Sequence, residues 1–224
     1  MKLLPIAAVS AAAGLSVLAL SDAVRNALAP SGTAPWDPAD GPELILRGII
    51  LLHAVVYLLL ATVLTAYRRQ IDGDSRALPW LRNILAACYL ILGLPFCWAG
   101  LFAPHTDFDA VGWISMLIFV AFLGSFVAPI PLGLLLLRHH RMQLSGWLLA
   151  SPVIIFPLTI VLDSISRWGH PAYLESVVNL GTALIGVAAV SDHGTGQGKP
   201  AAANAVSPQG KTSSRLNFLR SSRL

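Results

Sequence analysis

Charge is what this chain has least of: only 12% of its 224 residues are Asp, Glu, Lys or Arg, against 55% hydrophobic residues. With a mean hydropathy of +0.69, a soluble domain of this size would carry more apolar surface than water tolerates, so lipid is the expected solvent. Cysteine is nearly missing as well. Cys88 and Cys97 fall in one apolar run, nine positions apart. That is roughly 13.5 Å of helical rise, too far for a disulfide, and no Cys-x-x-Cys pair offers a metal site. No catalytic, cofactor or metal motif stands out, so no catalytic machinery, cofactor or metal is expected. The net charge of +4 and pI near 9.4 would suit nucleic acid, but the basic residues sit at the ends of apolar runs, which excludes that partner.

What the chain has instead is a series of apolar stretches of membrane-spanning length. A hydrocarbon core about 30 Å thick needs about 20 apolar residues in a helix. Six stretches meet that length: Leu3 to Leu20, Leu44 to Tyr67, Trp80 to Phe102, Val111 to Leu137, Ser145 to Leu162 and Ala172 to Val190. The expected fold class is therefore all-α, a polytopic transmembrane helical bundle over residues 1–190. The sixth stretch is the least apolar, because Glu175, Ser176, Asn179 and Thr182 interrupt it. Residues 191–224 change to Gly, Ser, Ala, Pro, Gln and basic residues, with too little apolar surface to offset the entropy of ordering, so a disordered basic tail is expected.

The first stretch has a rival reading. Met1-Lys2, an apolar run and small residues at Ala19 and Ser21 also fit a signal peptide cleaved after Ser21, which would leave five spans. Its near-full membrane length and single Lys favour a retained span.

Helix punctuation separates the spans. Asp40-Gly41-Pro42-Glu43 reads as a capping box ahead of the second span, and Glu43 and Arg47 are spaced for an ion pair one turn apart. Pro79, Ser145 and Pro171 mark other helix starts. With six spans and the amino terminus inside, twelve basic residues fall on the cytoplasmic side: Lys2, Arg68, Arg69, Arg76, Arg82, Arg138, Arg141, Lys199, Lys211, Arg215, Arg220 and Arg223. Only Arg25, Arg47 and Arg167 fall outside. The positive-inside rule then places both termini in the cytoplasm. Short loops and Ala/Leu/Arg-rich usage suggest a bacterial plasma membrane.

Two groups of polar residues are candidates for function. His53 lies deep in the second span, where an ionisable side chain is expensive and marks a functional site by default. Asn179 lies at a similar depth in the sixth, and Asp163 ends the fifth. Together His53, Asn179 and Asp163 form a possible intramembrane polar site. The second group is an outer-face cluster of His105, Asp107, Asp109, Arg167, His170 and Glu175, where carboxylates and imidazoles could ligate a divalent cation or act as acid and base. Prolines 95, 129, 131, 152 and 157 fall within spans and favour kinks and a central cavity. Small residues four apart, Ala8 with Ala12 and Gly124 with Ala128 among them, favour close helix packing. Arg138-His139-His140-Arg141 and the basic tail should attract anionic lipid headgroups.

The function expected first is a non-catalytic accessory or packing component of a membrane assembly, alone or as a homo-oligomer; the alternatives are a small-solute or proton-coupled transporter using His53, Asn179 and Asp163, and then a membrane enzyme working at the outer loops. A cavity leading from His53 to one face would favour the second, and a cluster of His105, Asp107, Asp109 and His170 the third.

Overall fold

The computed structural model describes residues 3–29, 42–73, 75–105 and 112–195. These form helices α1 (Leu3–Leu28), α2 (Glu43–Ala66), α3 (Arg68–Asp72), α4 (Ala77–Phe102), α5 (Gly112–Val127), α6 (Pro129–Leu136), α7 (Gln143–Ala150), α8 (Pro152–Ile165) and α9 (Ala172–Thr195), with no strand among the described residues. The fold is an all-α bundle holding six helices long and apolar enough to cross a membrane: α1, α2, α4, α5 with α6, α7 with α8, and α9.

Each expected stretch is one of these helices, with shifted ends. The first runs past Leu20 to Leu28 because the polar residues after it remain helical: Asp22 and Arg25 pair at 2.8 Å one turn apart, and Ala23 is buried. Helix α4 starts two residues before Pro79 and α7 two before Ser145. The Glu43–Arg47 pair forms at 2.8 Å. Asp40, its expected capping partner, lies outside the described residues, and Pro42 precedes the helix without a side-chain cap. Arg47 has a further use: its Nη1 donates to the carbonyls of Gly100 and Leu101 at 3.2 and 3.0 Å, so a cation closes the C-terminus of α4.

The fourth and fifth spans break where proline removes a donor. Pro129 and Pro152 begin α6 and α8, two residues past the ends of α5 and α7, and the linking Ala128 and Ser151 keep a right-handed helical backbone. At the second break the carbonyl of Leu148, which a residue other than proline at 152 would have bonded, accepts instead from Ser151 Oγ at 2.7 Å. The breaks separate well-packed halves from loose ones. Helices α6 and α7 cross at two glycines, where a Cβ on Gly133 would lie 2.6 Å from the backbone nitrogen of Ala150. Helix α5, by contrast, buries only Ala121 and Ser125.

At the end of the bundle where α6 connects to α7, α3 folds back on α4. Arg82, only 6% exposed, holds both oxygens of Asp72 through one guanidinium edge, Nε and Nη2 donating at 2.8 and 3.0 Å. The centre belongs to α9, which packs on α1, α2 and α7. Its interrupting residues recur at 175, 179 and 182, one helical face, and that face points inward. Asn179 and Thr182 are buried. The small faces expected on α1 divide in the same way: Ala8 and Ala12 are buried, whereas Ser10 and Gly14 are exposed. Gly124 gives its space to Cys88, whose Sγ would sit 2.7 Å from a Cβ there. Cys88 and Cys97 are both free thiols.

Candidate functional site

His53 sits ten residues into α2 and faces the bundle. Its Nδ1 is 2.8 Å from the carbonyl of Ile49, one turn back. A carbonyl only accepts, so Nδ1 is the donor, and Nε2 has no bond among the described residues. The ring stacks on Phe96 of α4, centroids 5.7 Å apart.

One turn further along α2, Tyr57 is buried and sends its hydroxyl toward the N-terminus of its own helix, as helical side chains lean. That direction brings it to α9, where it donates to Glu175 Oε1 at 2.9 Å. The Tyr57 ring in turn stacks on Tyr89 of α4 at 5.8 Å. Tyr89 and Thr182 Oγ1 are 3.1 Å apart. Thr182 already gives its one proton to the carbonyl of Val178 at 2.9 Å, so Tyr89 is the donor. The result is an aromatic and hydroxyl layer between α2, α4 and α9. Each buried Tyr hydroxyl in it has a partner, as burial requires. Ser176 Oγ is buried on the same helix with no partner among the described residues.

Two cavities meet at this layer. One, of about 390 Å³, lies between α5 and the pair α2 and α4, walled by His53, Tyr57, Phe96, Ser115, Phe119 and Glu175. The other, of about 180 Å³, continues past His53 and Glu175 to Asp22 of α1 and His170, just before α9. His53, Phe122 and Glu175 line both, forming the wall the two cavities share. Asp22 sits 3.7 Å from His170 Nε2, so the second cavity ends in ionisable groups where α1 finishes and α9 begins. Glu175 lies in the first turn of α9, where a carboxylate faces the positive end of the helix dipole. No Lys or Arg lines either cavity.

The sequence candidates are therefore regrouped. His53, Glu175 and His170 come together, although the sequence places Glu175 and His170 with the outer loops. Asn179 is buried one turn below Glu175 and lines neither cavity; Asp163 and Arg167 are exposed at the end of α8 and just beyond. His105 is exposed after α4, and Asp107 and Asp109 lie outside the described residues. Among the described residues no group of three or more His, Cys, Asp or Glu side chains is arranged to hold a metal ion. Sequence reasoning did not single out Tyr57, Tyr89 or Phe96. The available signal was the 57/53 spacing, which puts a hydroxyl-bearing ring one turn from an intramembrane histidine.

Compared with known proteins, the chain matches no family model, no curated protein and no solved structure.

Proposed function

We propose that this chain is a multi-pass membrane carrier for a small solute, with the His53–Glu175 cavity as its solute site. One observation carries the reading: two cavities share His53, Phe122 and Glu175 as a common wall, and one of them runs on to Asp22 and His170 at the helix ends. Ionisable residues at membrane depth cost free energy and are retained mainly where they line a path for ions or solutes. A proline junction beside the site adds support, since Pro129 removes a backbone donor from the span whose first half, α5, walls the larger cavity. The proposed membrane is the bacterial plasma membrane, with both termini cytoplasmic. Arg68, Arg69, Arg76, Arg82, Arg138 and Arg141 fall at the ends of spans assigned to the cytoplasmic side, against Arg25, Arg47 and Arg167 on the other, which supports that orientation.

The test is electrical. Proteoliposomes on a solid support receive, in turn, amine, amino acid, sugar and carboxylate mixtures under an imposed pH gradient. A transient above that of protein-free vesicles, lost at least tenfold in Glu175→Gln and His53→Leu, is expected. No transient with any class would overturn the reading.

A second reading, a non-catalytic accessory component of a membrane assembly, is favoured by the span containing α8, whose apolar window is only 17% buried. Co-purification of a stoichiometric partner covering α8 would favour it over carriage.

A further inference from the structure

We infer that the cavity binds a hydrophobic organic cation, an ammonium group on an apolar body. The inference rests on the carrier reading and names its substrate class.

The wall chemistry selects the charge. Glu175 brings a carboxylate to both cavities and no Lys or Arg lines either, whereas Asp22 at the far end of the smaller one is already paired with Arg25 at 2.8 Å, so Glu175 is the group that favours a cation. Glu175 is held in place by Tyr57, whose hydroxyl occupies Oε1. A carboxylate accepts at two oxygens and at about four sites in all, so one donor leaves it capacity for an N–H or an ammonium charge. A metal ion needs several oxygen or nitrogen ligands, and the described residues offer no such group here.

The rest of the wall selects the body. His53, Tyr57, Phe96, Phe119 and Phe122 line the larger cavity, with the first three rings at centroid distances of 5.7 to 6.2 Å from one another. Aromatic faces within about 6 Å attract a cation through the ring quadrupole, most strongly where water is excluded. Leu92 and Ile118 complete an apolar lining unsuited to a sugar or another solute that needs many hydrogen bonds. About 390 Å³ is within the range of small-molecule sites and accommodates a single aromatic ring with a substituted ammonium.

The matched probes are benzyltrimethylammonium and its uncharged carbon analogue, neopentylbenzene, titrated into the purified full chain in nanodiscs and followed by calorimetry. The cation should bind at least tenfold more tightly than the analogue. Glu175→Gln should erase that preference, and Tyr57→Phe should weaken cation binding two- to fivefold. Phe119→Ala sits on the sparsely covered α5 and should keep the fold while weakening binding about threefold, so it serves if Glu175→Gln misassembles. Equal binding of the two probes, or undiminished cation preference in both Glu175→Gln and Phe119→Ala, would overturn the inference. The two readings fail separately. A Glu175-dependent transient with sugars or carboxylates and none with amines would overturn the cation class and leave the carrier standing. Charge-selective binding without any transient would leave the cation site and remove the carrier.

Discussion

The second half of the fifth span and the sixth span invert the usual relation between hydropathy and burial. The window containing α8 has a mean hydropathy of 2.1 and is 17% buried; that of α9 has 1.6, the lowest of the six, and is 56% buried. In water the more apolar helix would be the inner one. In lipid the apolar face has no reason to hide, because acyl chains are as apolar as leucine, and the groups that need protein neighbours are the polar ones. Glu175 and Thr182 find theirs in Tyr57 and Tyr89, and the helix that carries them becomes the hub. Helix α8, with Ile154, Phe156 and Ile160 exposed, needs nothing further from the bundle.

The largest test of this contrast concerns what keeps the fifth span attached. Its first half, α7, is held by backbone contact, so Gly133→Ala forces a Cβ to within 2.6 Å of Ala150 N with no side chain able to yield. A loss of about 3 kcal/mol in unfolding free energy, measured by steric trapping in bicelles, is expected. A neutral result would mean that α7 is no better anchored than α8.

A paired truncation compares the two helices directly. Ile185→Ala on α9, where the side chain is 0% exposed, should cost about 2 kcal/mol through a cavity the neighbours cannot fill. The same change at Ile154 on α8, 72% exposed, should stay within about 0.5 kcal/mol. Equal effects would show that α8 is covered by something in the membrane, as the accessory reading requires.

The smallest effect concerns the polar stripe. Thr182→Val keeps the shape and removes the acceptor for Tyr89; interhelical hydrogen bonds in membranes are worth about 0.6 to 1 kcal/mol, and a loss of that size is expected. A stabilised variant would mean that the stripe serves the cavity and contributes nothing to assembly.

Much of the architecture is legible along the chain. Span number and approximate limits follow from length and hydropathy, and the Glu43–Arg47 pair from its one-turn spacing. The site is legible only in part. Glu175 reads as an outer-face residue because it lies near the start of its span, yet Tyr57 reaches it from the middle of another helix, 118 positions away. Tyr57, Tyr89 and Phe96 are inconspicuous in apolar runs, where aromatic rings ordinarily do no more than pack. Asn179 has the right depth for His53, but depth along the membrane normal says nothing about which helix is the neighbour.

The sequence by itself determined that six helices suit a bilayer, because that requirement is set by a length and a solvent, both local to each stretch. It also determined where backbone donors would be missing, since proline acts on its own turn: Pro129 and Pro152 mark the two junctions. Only the tertiary structure decided that α9 is central, that α8 is peripheral, and that His53, Tyr57 and Glu175 share a wall. Those outcomes depend on which helix faces which. Between helices in lipid that choice is made by glycine contacts such as Gly133 with Gly146 and by hydrogen bonds such as Tyr57 to Glu175, interactions of a few residues each that leave no periodic trace in the chain.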